Sequence, residues 1–258
     1  MKENFIKSKE VDLSGCSYGF FTRNGGYSKG IYRSLNCSRR SDDSNVNTSR
    51  NRKKVLQELG KEDASLIMPI QKHTNICKII TDNDSQNVMA DALVTKSEKL
   101  VLCVLTADCV PLLLHERQEN IIGAIHAGWK GAKSNIIENT IMKVQELGGK
   151  TENISIVIGP CIQQKSYEVG SEFLENFMID DDKNRELFIQ KNQKYYFDLP
   201  QYCINKIKNC GVREIGNVKK CTYENSNEFF SFRRSHHLNE IDYGRQANAI
   251  TITNKYTP

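Results

Sequence analysis

The chain has 258 residues, 38% of them hydrophobic and 26% charged, enough for one sizeable core in a single domain spanning residues 1–258. A net charge of +5, with no basic stripe interleaved with aromatics, argues against nucleic acid as a partner, and no run approaches the ~20 apolar residues of a membrane span. The charged stretch Met1 to Leu13 has no signal-peptide core, and nine irregularly spaced cysteines read as reduced thiols, so the expected compartment is the cytoplasm.

Residues 17–22 read as a strand closed by the turn Asn24-Gly25-Gly26. Residues 47–59 read as a helix with Val55, Leu56 and Leu59 on one face and Gly60 as its stop. The basic run Arg50 to Lys54 then lies on its solvated side. Residues 66–70 and 76–80 are short strands flanking Gln71-Lys72-His73. Three apolar runs follow, at 100–105, 109–114 and 121–126, each with the composition of a buried strand. After Gly128-Trp129-Lys130-Gly131, the residues Ile136, Ile137, Thr140, Ile141, Val144 and Leu147 recur with a helical period. They predict a helix over 134–147 ended by Gly148-Gly149. Residues 154–158 form a strand leading into Gly159-Pro160-Cys161. Asp198 caps a helix that opens with Pro200 and stops at Gly211. Residues 212–218, 228–232 and 247–253 read as strands. Strands outnumber helices without alternating strictly with them, which predicts an α/β fold of mixed sheets with helices packed outside.

The chemistry concentrates between Thr106 and Gly131. If 109–114 and 121–126 pair as an antiparallel hairpin turning near residues 117 and 118, Cys109 and His126 face each other. Their Cβ atoms would then be roughly 4.5–5.5 Å apart, whereas a one-residue slip would send them to opposite faces. The pair alone reads three ways: a core cysteine beside a core histidine, a cysteine nucleophile activated by histidine, or two ligands of one metal ion. His73, in a polar loop after the short strand that contains Pro69, adds a third donor. One thiolate and two imidazoles form a borderline-soft set that suits Zn²⁺ better than copper. Three protein ligands also leave a fourth tetrahedral position open, the mark of a catalytic site.

Several segments, in order, resemble the laccase-domain family, also called polyphenol oxidase or YfiH-like, understood as purine nucleoside phosphorylases. They are Phe21-Thr22-Arg23-Asn24-Gly25-Gly26-Tyr27-Ser28, Gln71-Lys72-His73, Thr106-Ala107-Asp108-Cys109-Val110-Pro111 and His126-Ala127-Gly128-Trp129-Lys130-Gly131. Ile158-Gly159-Pro160-Cys161-Ile162, Ser231-Phe232-Arg233-Arg234 and Gly244-Arg245-Gln246 complete the series. The resemblance implies a four-layer α/β/β/α sandwich with mixed β-sheets and a zinc site at His73, Cys109 and His126. It also implies phosphorolysis of adenosine, inosine, guanosine and methylthioadenosine, with adenosine deamination as a side activity. The partners would be purine nucleosides and phosphate, in a monomer or small homo-oligomer. The sequence departs from the family's pattern at Lys72, Thr74 and Lys130, and in a longer segment 235–243. These positions bear on the pocket rim rather than on the ligands.

Phosphorolysis needs an anion site beside the ribose C1′ and stabilisation of the departing base, while a sugar cation develops as in glycoside cleavage. Arg23 is the first candidate for holding phosphate, since its planar fork suits that anion. Arg233 and Arg245 come next, and Gln71 is expected at the substrate. Asp108 is expected as an acid or base, or as the partner that orients a metal-bound histidine. Cys161, in a loop after a strand, joins the catalytic set; its other reading is a small buried hydrophobe. His236 and His237 fall in a polar loop and take no role. The competing functions are a copper-dependent phenol oxidase, a metal-free hydrolase using Cys109 and His126, and an inactive partner-binding module.

Overall fold

The computed structural model describes residues 4–84 and 87–253; residues 1–3, which open the charged N-terminal stretch, lie outside it, as do 85–86 and 254–258. In chain order the strands are β1 (Phe5–Ile6), β2 (Cys16–Phe21), β3 (Ser65–Ile67), β4 (Cys77–Ile79), β5 (Ala92–Thr95), β6 (Leu100–Thr106) and β7 (Val110–Glu116). They continue with β8 (Ile121–Ala127), β9 (Ile154–Ile158), β10 (Glu168–Val169), β11 (Phe188–Lys191), β12 (Lys194–Phe197), β13 (Glu214–Asn217) and β14 (Gln246–Ile252). The α-helices are α1 (Asn45–Glu58), α2 (Trp129–Lys133), α3 (Ile136–Glu146), α4 (Ser171–Met178), α5 (Leu199–Asn209) and α6 (Phe232–His237).

A five-stranded sheet runs β1-β2-β14-β6-β3 and a six-stranded sheet runs β13-β9-β7-β8-β5-β4; β10, β12 and β11 form a third. Both large sheets are mixed. β3 lies parallel to β6, β4 to β5 and β13 to β9, and the other pairs are antiparallel. Side chains alternate across a strand, and here the alternation builds layers. Leu113 of β7 meets Phe20, Leu102 and Ile250 of the opposite sheet. Its neighbours Leu112 and Leu114 face outward onto Ile137 and Ile141 of α3 and Ile207 of α5. On the five-stranded sheet, Val101 and Cys103 face outward onto Val55 and Leu59, the buried stripe of α1 and its cap. The result is the expected four-layer α/β/β/α sandwich, with two sheets sharing the central core. Strands buried on both faces need apolar residues at every position, which is why 100–105, 109–114 and 121–126 are continuous apolar runs.

The β7–β8 hairpin differs in register from the expected one. Glu116 pairs with Ile121 and Pro111 with His126, so the turn spans 117–120, with Asn120 at φ +51°. Cys109 therefore lies diagonal to His126 rather than opposite it. The slide is two residues, which preserves the face, and both side chains still reach the same end of the sheet.

Three other segments differ from expectation. The helix expected over 134–147 is α3, and a separate short helix, α2, precedes it directly after Gly128, with Asn135, at φ +72°, between the two. Arg52 of the basic run is half-buried, donating from Nε to the Cys37 carbonyl at 2.9 Å. Residues 228–232 form no strand. Phe230 exchanges its backbone hydrogen bonds with the side-chain amide of Gln246, at 2.9 and 3.2 Å. Ser231 then caps α6, placing His236 and His237 on a helix.

Candidate metal centre and the cavities beside it

Tertiary structure brings His73, Cys109 and His126 together: one ligand atom from each lies within 4.8 Å of the others. Cys109 Sγ is 3.7 Å from His73 Nε2, and the two imidazoles meet edge to face with centroids 4.8 Å apart. His126 sits at the end of β8, Cys109 one residue before β7, and His73 in the loop between β3 and β4. Among the described residues no other group of three or more His, Cys, Asp or Glu side chains could hold an ion.

Asp91, which the sequence reading missed, ties this arrangement together. Its carboxylate is fully buried. It accepts hydrogen bonds from the backbone N–H groups of Lys72 (3.2 Å), His73 (3.0 Å) and Thr74 (2.7 Å), and from Thr74 Oγ1 (2.7 Å). His73 is held at φ +58°, a conformation uncommon outside glycine, and these bonds stabilise it. The same carboxylate lies 2.8 Å from His126 Nδ1. Donation from Nδ1 to Asp91 leaves Nε2 of His126 as the ring nitrogen available to a metal. Burial alone would raise the Asp91 pKa, but the bonds from His126 and Thr74 outweigh it and hold the carboxyl well below the usual carboxylate range.

The electrostatics favour a charged pair. Burial pushes the Cys109 thiol up, but the imidazolium of His126 and hydrogen bonds from both histidines outweigh it and bring the thiol down to about 6. Burial pushes His126 down, yet the Cys109 thiolate and Asp91 raise it to about 9. Gly128 makes room for the triad. A Cβ there would stand 2.6 Å from His73 Cδ2 and 3.1 Å from Cys109 Sγ. A thiolate, two imidazoles and a carboxylate behind one of them match the donor set and outer support of a zinc site.

Two cavities meet at the triad, and His73 and Cys109 line both. One, of about 370 Å³, is lined by Arg39, Arg40, Arg52 and Arg245, with Gln71 and Tyr243. The other, of about 410 Å³, is lined by Trp129, Tyr167, Phe232, Leu199 and Ile162, with Arg233. Lys72 and Lys130, two departures from the family's pattern, stand at this second cavity. Phe232 and Tyr243 join the two rims, with ring centroids 5.1 Å apart.

The other residues singled out from sequence divide between these cavities and the scaffold. Arg245 lines the first cavity, donates from Nη1 to Ser38 Oγ at 3.0 Å and lies over Tyr243. Gln71 lines it too, but its amide makes two hydrogen bonds to the Leu105 backbone, at 2.7 and 2.8 Å. Arg233 lines the second cavity, over Tyr167, donating to the Glu168 carbonyl. Arg23 lines neither. Its three guanidinium nitrogens donate to the carbonyls of Arg33, Ser226 and Ile31, so it pins two loops and stands outside the anion site expected of it. Asp108 lines the second cavity, and its oxygens accept from Thr222 Oγ1, Ser231 Oγ and the Arg233 N–H, anchoring α6, while burial raises its pKa above the ordinary carboxylate value. The carboxylate that contacts His126 is that of Asp91. Cys161 is fully buried, and burial raises its pKa well above an ordinary thiol's, so it packs as a small hydrophobe. Asp91 carries a faint sequence signal, an acid before the apolar run Ala92-Leu93-Val94. Arg39, Arg40 and Arg52 are marked in the sequence only by their charge.

The fold and site define a class. The chain belongs to the family described as multi-copper polyphenol oxidoreductase laccase, whose model matches residues 17–253. Among individual relatives, a Rickettsia conorii protein named purine nucleoside phosphorylase is 46% identical over 58% of this chain and 63% of its own length. The purine nucleoside phosphorylase YfiH of Shigella flexneri is 34% identical over 93% of this chain and 94% of its own. A crystal structure of a Neisseria meningitidis protein of the DUF152 family superposes with a TM-score of 0.85 at 27% identity, covering 97% of this chain and 100% of that one.

Proposed function

We propose that this chain is a zinc-containing purine nucleoside phosphorylase, acting as one domain on adenosine, inosine, guanosine or methylthioadenosine. One observation carries the reading: a metal-competent triad lies between a cavity lined with arginines and a cavity lined with aromatic rings. Phosphorolysis requires those two chemistries on either side of one carbon, and relatives of this chain carry the phosphorylase name.

His73, Cys109 and His126 would hold the metal, which when bound supplies Lewis-acid polarisation of a substrate oxygen or nitrogen. The chain's own residues do the remaining work. Trp129, Tyr167 and Phe232 offer π-faces to a purine and exclude water from it. Asp91 keeps both histidines in place, so no reorganisation is needed when substrate arrives. A phosphate oxygen bonds to C1′ as the C1′–N9 bond breaks and its electron pair moves to the base. The proton that hydrogen phosphate loses is the proton the base gains.

Pure metal-loaded protein incubated with inosine and phosphate should yield hypoxanthine and ribose 1-phosphate. No product beyond that of a His126→Ala control would overturn the reading. Adenosine in the same assay separates phosphorolysis, which yields adenine, from the deamination that we include as a side activity, which yields inosine first.

The family's description favours one other reading, a copper-dependent phenol oxidase. A multicopper cluster needs more imidazoles than the five histidines of this chain can bring to one place. Stoichiometric copper with phenol-dependent oxygen uptake would replace our proposal.

A further inference from the structure

The arginine-lined cavity has no carboxylate in its lining. Arg39, Arg40, Arg52 and Arg245 converge on it. Among the described residues none of the four is in an ion pair with a carboxylate. Other cations of the protein do find carboxylates: Arg117 meets Glu214, and Lys133 meets Asp180 at 3.0 Å. The four side chains are also oriented by neutral partners. Arg39 donates from Nη2 to Ser49 Oγ, Arg40 from Nη1 to the Gln71 carbonyl, Arg52 from Nε to the Cys37 carbonyl and Arg245 from Nη1 to Ser38 Oγ. Each bond holds its guanidinium in place without neutralising it, and each guanidinium has five N–H donors.

We propose that this cavity is the phosphoryl subsite, holding inorganic phosphate before reaction and the phosphate of ribose 1-phosphate after it. Arg39, Arg40, Arg52 and Arg245 are its donors. The inference rests on the phosphorylase reading and adds the side from which phosphate approaches. Forked guanidiniums match the tetrahedral oxygens of phosphate two at a time. The second cavity suits the anion less well. A carboxylate, Asp108, lines it; Arg233 there is engaged with the Glu168 carbonyl and the Tyr167 face, Lys130 lies over the Trp129 ring, and Lys72 is its remaining cation beside apolar and aromatic walls. Phosphate therefore enters from the arginine side and the purine leaves from the aromatic side, with C1′ between them at the triad.

The test is the phosphate dependence of turnover in Arg40→Gln and Arg52→Gln, with Arg50→Gln as the control. Arg50 is on the same helix as Arg52 but lies over Tyr27, away from the cavity. Arg40 is exposed, so its variant should fold even if the half-buried Arg52 variant does not. The KM for phosphate should rise about tenfold or more in each cavity variant, while the KM for inosine stays within about twofold. Calorimetric titration of metal-loaded protein with phosphate alone, and with ribose 1-phosphate alone, should show both binding to wild type and to Arg50→Gln. Both should bind correspondingly more weakly to Arg40→Gln. A wild type that turns over while both variants keep its phosphate KM overturns the subsite and leaves the phosphorylase reading intact. A wild type that binds phosphate through Arg40 but converts no purine nucleoside overturns the phosphorylase reading and leaves an anion site.

Discussion

The two sides of the triad share His73 and Cys109 but differ in how they treat charge. One wall gathers four arginines without a carboxylate; the other gathers Trp129, Tyr167 and Phe232, sets Asp108 among Lys72, Lys130 and Arg233, and engages that arginine with a carbonyl and a ring. A cavity left with unpaired positive charge retains a strong field for an anion, because nothing internal screens it. A cavity walled with rings offers area and π-faces to a flat, neutral group. The contrast teaches that one shared group of donors can stand between two chemically different walls, told apart by how each treats its cationic side chains.

The largest expected effect comes from removing what both sides share. A chelator should reduce phosphorolysis to background, and readdition of zinc should restore it. In the stripped protein Cys109 should be alkylated by iodoacetamide with a midpoint near pH 6. The sign follows from the lowered pKa: the reactive thiolate is present above that pH and lost below it. Burial holds buried thiols such as Cys77 and Cys103 up at about 12, so they stay protected. Full activity in chelator would sink the metal reading and favour a Cys109–His126 hydrolase.

Next in size is Asp91→Asn. It replaces an acceptor of five hydrogen-bond donors with an amide, and zinc affinity should fall roughly 10–100-fold. Competition with a chromophoric chelator measures this without reference to turnover. An unchanged affinity would mean that Asp91 merely fills space.

Phe232→Ala sharpens the difference between the two walls. Phe232 is about half exposed, so its loss should not affect the core. The KM for nucleoside should rise roughly fivefold or more, from the loss of a stacking face. The KM for phosphate should hold. A change in phosphate KM alone would invert our assignment of the walls.

The smallest kinetic effect is expected at Arg23. Arg23→Gln removes the donor that ties three loop carbonyls together and should cost about 1 kcal/mol of stability, read as a lower melting temperature. Both KM values should stay within twofold. A large rise in phosphate KM would return Arg23 to the anion site.

The sequence alone was informative where one local rule dominates. Continuous apolar runs predicted β6, β7, β8 and β9, because a strand buried on both faces admits no polar alternation. A period of 3.6 predicted α3, and the Asp198 cap with Pro200 predicted α5, where Asp198 accepts from the Gln201 N–H at 3.0 Å. The grouping of His73, Cys109 and His126 was legible from residue chemistry and motif order. The route to it was partly wrong, since the hairpin register is shifted by two residues; the inference survived because a shift of two preserves the face.

Tertiary structure decided the rest. Residues 228–232 have strand composition, but the Gln246 side chain takes the backbone hydrogen bonds of Phe230, Arg23 and Arg234 take the carbonyls of Glu228 and Phe229, and a helix begins instead. Arg23 and Asp108 sit in promising motifs, yet the fold binds Arg23 to the carbonyls of Ile31, Arg33 and Ser226, and Asp108 to two hydroxyls and an N–H from distant segments. Asp91, Arg39, Arg40 and Arg52 sit in no motif, yet they converge on the site. Composition and period report what a residue can do, whereas availability depends on which partners the fold brings within hydrogen-bond reach, and one such partner of Arg23 lies 203 residues away along the chain.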